Sequence, residues 1–337
     1  MSVPISIHGC GVVSPAGWGM APFMEALASG KRPELSELSR SCGAEIVRSP
    51  VLKVPEEGST TPKFARLRRT SPISRFAAAA AVEALGDERL TSIRNGELRV
   101  GIVFTLMNGC VNYSHRFYRE ALADPATASP ILFPETVFNA PSSHLSALLD
   151  STAPNDTLIG DGNALFSGLD LAAEWICRGE VDGCLVVASE EIDWLSTEAL
   201  RLYSGNAIAA EGAAAFYLQS GPGPVNLLRL PDPISLSTHS RSAAAEILRT
   251  VLSPSPDALL VDGQCGDAKF DAPESATWAD WTGPHCSPRK LMGEGLGVSA
   301  GWQLAAAVEA IRSGRHAQAA VIGTTAHQQC GGVLIGR

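Results

Sequence analysis

The stretch "TLIGDGNALFSGLDLAAEWICRGEVDGCLVVASE", residues 157–190, constrains the fold more than any other part of the chain. It reads as a short strand, a glycine-bearing turn, a helix over residues 164–178 that stops at Gly179, and an apolar strand. Its helix has the apolar face expected of packing on a sheet. Elbows of this kind also hold nucleophiles, because backbone N–H groups and the macrodipole at a helix N-terminus favour negative charge. Here the turn "DGNALFSG" offers only Leu165 and Phe166 before Ser167. Ser167 reads either as a displaced nucleophile or as a small helix-start residue, and the elbow offers no other reactive side chain.

The rest of the chain repeats the alternation. "VPISIHGCGVV" is an apolar strand that leads through a turn to a helix over "APFMEALASG", with Gly30 as its stop. Residues 31–70 are polar and proline-rich and hold one predicted strand, "AEIVRSPVLKV". The helix "SPISRFAAAAAVEALGD" opens with Ser71 as N-cap and Pro72 at its first position. A buried strand "LRVGIVFTLM", a helix "NYSHRFYREALAD", a loop and a helix "SSHLSALLD" lead to the elbow. Beyond it, the strands "GCLVVASE" and "EGAAAFYLQS" flank an irregular stretch at residues 191–210. The pattern then restarts with a helix "SRSAAAEILRTVLS", a strand "DALLVDG" and a loop region to residue 290. A helix "VSAGWQLAAAVEAIRSG" and the strands "AAVIGTT" and "GGVLIGR" close the chain. This order predicts an α/β protein with parallel or mixed sheets covered on both faces. Two passes imply two fused halves, residues 1–225 and a shorter 226–337, although no exact sequence repeat is visible.

Composition removes several function classes. A formal net charge of −9 argues against a nucleic-acid or anionic-membrane surface. No uninterrupted apolar run approaches the roughly 18 residues of a membrane span. The N-terminus has no basic region before its apolar strand and does not read as a signal peptide, which makes a cytoplasmic location the expectation. The eight cysteines are scattered without CxxC spacing and read as reduced, structural residues. The histidines form no metal-ligand pair, and neither a metal nor a cofactor is implied.

Taken in order, the motifs resemble the β-ketoacyl-acyl-carrier-protein synthases, which have the thiolase fold. "IHGCGVVSPAG" matches their opening strand and turn, and "SRFAAAAAVEAL" their next helix. "SPILFPETVFNAPSSHLSALL" is similar to their approach to the active-site sheet. "SGLDLAAEWICRGEVDGCLVVASEE" matches the nucleophile helix and following strand, "EGAAAFYL" a later strand, and "RKLMGEGLGVSAG" the segment of the second catalytic histidine. The resemblance implies two α/β halves in a layered α-β-α-β-α arrangement, with the second half shortened.

Condensing members of that family use a cysteine and two histidines. The resemblance puts Leu165 at the cysteine position, Asp262 at the first histidine and Glu294 at the second, with the family's Lys290 retained. It also reduces a closing phenylalanine–glycine run to "QQCGG". Condensation needs a thiolate to take the acyl chain and neutral donors for the thioester oxygen. Leucine cannot be acylated, and carboxylates repel both malonyl and its enolate. The implied reading is a chain-length-factor type of subunit, paired with an active ketosynthase and served by an acyl carrier protein. The setting would be a type II polyketide system of the polyene kind. The helix after "GIVFTLMNG" would line the acyl pocket, with Met107, Cys110, Tyr113, Ser114 and Phe117 forming a length-setting wall. Lys290 and Glu294, four residues apart, would form a charge pair in place of the catalytic network. Two other readings stand beside it: a self-sufficient acyltransferase or hydrolase using a relocated thiol such as Cys265, and a stand-alone carrier-binding homodimer. The adjacent His285 and Cys286 are a weaker reactive pair.

Overall fold

The computed structural model describes residues 3–43, 45–323 and 328–337. The chain opens with strand β1 (Ile5–Ser14), turned by the short β2 (Gly17–Trp18) into helix α1 (Met20–Ser29). A polar hairpin of β3 (Ser36–Cys42) and β4 (Glu45–Leu52) follows. Helix α2 (Pro72–Arg94), interrupted at Gly86, leads to β5 (Val100–Leu106), α3 (Val111–Ala123), α4 (Ala140–Leu149) and β6 (Asn155–Ile159). The elbow delivers α5 (Ala164–Cys177) and β7 (Gly183–Glu190). Helix α6 (Trp194–Tyr203), β8 (Ala209–Ala210) and β9 (Gly212–Ser220) come next.

The second pass runs β10 (Val225–Arg229), β11 (Ile234–Ser235), α7 (Arg241–Leu252), β12 (Leu259–Val261) and α8 (Ala268–Thr277). It ends with β13 (His285–Cys286), α9 (Pro288–Met292), α10 (Ser299–Arg312), β14 (Gln318–Gly323) and β15 (Gln329–Gly336).

The duplication that the element order suggests is explicit in the strand pairing. In the first pass β6, β5 and β7 lie parallel in that order, followed by antiparallel β9 and β1. In the second, β13, β12 and β14 lie parallel in that order, followed by antiparallel β15 and β10. Strands β1 and β10 then pair antiparallel and join the two runs. The second pass is built from shorter strands, as in β12 and β13 against β5 and β6.

Helices α5 and α10 occupy equivalent places in the two passes and share the largest core cluster with the inner faces of both strand runs. The alternate residues of β5, β7 and β9 pack under α2 and α4, and those of β12, β14 and β15 under α7. Side chains that alternate across a strand therefore feed a central and an outer helical layer. The result is the expected five-layer α-β-α-β-α stack.

Three segments differ from the sequence reading. Residues 31–70 hold two strands, because polar β3, which lacks apolar alternation, pairs with β4 along its whole length. The stretch read as irregular contains α6, started by a capping box in which Asp193 and Ser196 bond reciprocally. The loop region before residue 290 contains α8, capped by Asp267. The end of the predicted strand "AAVIGTT", Thr324 and Thr325, lies outside the described residues.

Candidate functional site

Elbow and sheet ends converge as a catalytic site would require. Asn163 caps α5 in sequence, but its side-chain amide donates to the carbonyls of Gly323 (3.2 Å) and Gln329 (2.7 Å). Asp161 accepts from the Gln329 amide at 2.8 Å, which ties the elbow to the ends of β14 and β15. Gly168 lets α5 lie directly on the sheet, since a Cβ there would meet the Thr105 methyl at 2.8 Å. Leu165 is fully buried in the central core and Phe166 nearly so. The position that the resemblance assigns to the nucleophile is therefore a packing position.

The second-half positions are equally occupied. Asp262, at the end of β12, is buried and accepts from the Gln264 amide (3.0 Å) and the Ser287 hydroxyl (2.8 Å). It also pairs with His285, which is raised above the ordinary imidazole range chiefly by that hydrogen bond. Glu294 is buried and accepts from the Ser299 hydroxyl (3.0 Å) and the Leu296 amide (2.9 Å).

The cation paired with Glu294 is Arg289, which is 1% exposed and also donates to the Gly263 carbonyl. The pairing of Lys290 with Glu294 is thus corrected: Lys290 donates instead to the Gln264 side chain at 2.5 Å. Buried Glu274 accepts from the Gly263 amide at 2.8 Å. Asp262, Glu274, Arg289 and Lys290 all bind residues 262–264, and Arg289 carries the link on to Glu294. The cavity between Cys265, Phe270, Arg289 and Glu294 measures about 10 Å³, the lower limit for one water.

The alternative thiols are poorly placed for chemistry. Burial pushes Cys265 up to about 11, and its Sγ lies 3.5 Å from Asp271. Cys286 is likewise pushed to about 11, and the His285 Nε2 beside it is engaged by Asp262. Thiols at those values are almost wholly protonated near pH 7 and make weak nucleophiles.

The implied wall residues sit at the start of α3. Cys110 is buried at the N-cap, Met107 is at the surface, and Tyr113 rests half-buried on the outer core. Ser114 donates to the Thr136 carbonyl at 3.3 Å, and Phe117 packs on Phe133 with ring centroids 5.5 Å apart. Around them Tyr118, Leu122, Ile131, Phe133 and, on edge strand β6, Ile159 are more than half exposed. A second surface feature is the run 63–75, in which Lys63, Arg66, Arg68, Arg69 and Arg75 are all exposed and no acidic residue intervenes.

Arg289, Glu274, and the buried carboxylates Glu190, Glu191 and Glu211 carry much of the local electrostatics, and none stands out in the sequence. For Glu190, Glu191 and Glu211 the available signal was a carboxylate at the end of an apolar strand.

The fold that carries these residues is that of the ketosynthases, as comparison with known proteins shows. Residues 2–225 match the model of the β-ketoacyl synthase N-terminal domain, and the chain belongs to that family. No curated protein matches the sequence. Among solved structures, the ishigamide ketosynthase/chain length factor is 17% identical with a TM-score of 0.79, covering 98% of this chain and 99% of its own. A ketosynthase, ApeO, in complex with its chain length factor, ApeC, from Xenorhabdus doucetiae is 15% identical with a TM-score of 0.81, covering 99% and 98%. The type II polyketide synthase complex AntDE:AntF, an acyl-carrier protein with its ketosynthase bound to the hexaketide, is 16% identical with a TM-score of 0.81, covering 100% and 99%. At these identities the likeness establishes the fold.

Proposed function

We propose that this chain is a non-catalytic chain-length factor that pairs with an active ketosynthase and shapes the acyl pocket during malonyl-dependent elongation on a carrier protein. The observation that carries the reading is the nucleophile position. Leu165, which the resemblance puts there, is a core residue, and Asp262 and Glu294, which it puts at the histidine positions, lie in an ionic network. Nothing in that arrangement accepts an acyl group or donates to a thioester oxygen as two neutral histidines would.

Partner pairing is supported by the apolar residues left uncovered beside edge strand β6, since exposed apolar patches and open sheet edges mark interaction surfaces. Two of the similar structures are named as ketosynthase–chain length factor pairs. Carrier docking is supported by the basic run 63–75 in a chain of net charge −9. The product system is read as type II polyketide synthesis of the polyene kind. In the complex, α3 would present Tyr113 and Phe117 as the end of the partner's acyl tunnel.

Co-expression with ketosynthases that retain the cysteine and two histidines, followed by mass spectrometry of carrier-bound chains, tests the reading. Products are expected from the pair only, and Tyr113→Ala and Phe117→Ala should lengthen them. Acyl transfer to the isolated chain, or product lengths unchanged in both variants, would refute it.

A further inference from the structure

The connection from β5 into α3 hangs from two consecutive carboxylates. Glu190 and Glu191 close β7, are 1% and 0% exposed, and leave the strand toward opposite sides. Glu190 accepts from the Met107 amide and, at 3.3 Å, from the Asn108 amide, with the Gly297 amide of the second half also directed at it. Glu191 spans two helix starts. One oxygen accepts from the Asn112 amide of α3 at 2.9 Å, and the other from the Ile73 amide of α2 at 3.0 Å. The Ser71 hydroxyl lies 2.6 Å from both oxygens.

Neither helix caps itself. Ser71 and Cys110 stand at the N-caps of α2 and α3, and neither makes a side-chain capping bond. Ser71 would ordinarily cap α2, yet its hydroxyl is turned to Glu191. Free amides in a helix's first turn need an acceptor, and a carboxylate there also meets the positive end of the macrodipole. For α2 this is a supplement, because the helix has a long buried face. For α3 it is a larger share of the anchorage: none of Val111–Ala123, all described, is fully buried. The Asn112 side chain adds a bond to the Ile192 carbonyl at 3.2 Å, again to the end of β7.

We infer that Glu191 is the positioning residue of the wall: by bridging the first turns of α2 and α3 it fixes where α3 begins, and with it the reach of Tyr113 and Phe117. The inference rests on α3 forming the acyl wall, as proposed above. Glu191 is not a catalytic residue, since it lies behind the helix and faces other backbone groups. Its two oxygens, one toward each helix start, are what serve two donors at once. A glutamine of the same shape would turn an NH₂ toward one helix's amides and lose that cap.

Two readouts separate this role from general stability. In purified Glu191→Gln, amides of residues 112–117 should exchange with solvent about tenfold faster, while those of α5 keep their rates. Co-expressed with the ketosynthase, the same variant should broaden or lengthen the product distribution, and Glu191→Asp, which keeps two acceptor oxygens, should restore part of the wild-type pattern. If E191Q leaves α3 exchange unchanged, the inference fails. It also fails if Tyr113→Ala shifts product length and E191Q does not. If Tyr113→Ala and Phe117→Ala both leave length unchanged, the chain-length reading fails instead, and the exchange rates still decide whether Glu191 holds α3. Should E191Q not fold, E191D carries the exchange test, because retracting the carboxyl group by one methylene loosens one helix start while keeping both acceptor oxygens.

Discussion

Replacing Arg289 with methionine removes the cation from a buried ion pair while Glu294 stays inside the protein. Breaking such a pair costs about 3–5 kcal/mol, whereas removing both charges together is far milder. Urea unfolding of Arg289→Met should show a loss of that size, and Arg289→Met with Glu294→Leu should recover part of it. Lys290→Met should cost less than about 1 kcal/mol, as expected for a partly exposed polar contact; equal losses from the two cations would contradict the assignment. That no reactive side chain stands where the resemblance puts the nucleophile was readable from Leu165 alone. The partner of Glu294 was not, and the reason is geometric. Residues four apart share a face only while a helix continues, and α9 ends at Met292. Gly293, at φ 85° and ψ −171°, turns the chain there, so the spacing from Lys290 to Glu294 no longer aligns them. Arg289, one residue earlier, is the side chain the turn buries, and guanidinium suits a buried carboxylate better than ammonium does.

The ends of β7 and the start of β9 carry a pH dependence. In the unfolded chain glutamates ionise near 4.5, but burial holds Glu190 at about 8 and Glu211 at about 7 in the folded protein. Between roughly pH 4.5 and 8 the folded state binds more protons than the unfolded one, so stability falls as pH rises through that window. His285, raised by Asp262, adds to the fall above about pH 6.5, while His8, lowered by burial, opposes it only below that pH. Melting temperature should therefore decline from pH 5.5 to 8.5, and Glu190→Gln should flatten the decline; a Tm that rises over this range would disprove the assignment. Most elements at this scale were legible, because apolar strands and small-residue helices alternate with clear stops. Those that were not are held by pairings invisible to periodicity. Strand β3 is polar and exists through its register with β4, and α6 begins at a two-residue capping box, Asp193 with Ser196.

Across the molecule, the two passes share a strand order without sharing a sequence, since fold duplication constrains which positions are apolar but not which side chains fill them. The alternation of elements was enough to suggest two halves; the antiparallel join of β1 to β10 needed the structure, because register between distant strands leaves no local signal. The surface is where charge becomes informative. A net charge of −9 disfavours an anionic partner, yet residues 63–75 concentrate five exposed cations that would suit one. That run leads into α2, whose start shares Glu191 with α3, so a carrier seated there would stand beside the proposed wall. Complementary charge of this kind acts mainly on encounter and orientation, and it is screened by salt. The triple variant Arg66→Glu, Arg68→Glu, Arg69→Glu should weaken carrier binding to the ketosynthase pair by about tenfold at low ionic strength, with the gap shrinking toward 1 M salt, where the Debye length is about 3 Å. The three side chains are exposed, so the melting temperature should move little. Carrier affinity that is unchanged at low salt would place docking elsewhere, on the catalytic subunit alone, and leave this chain with the wall as its single contribution.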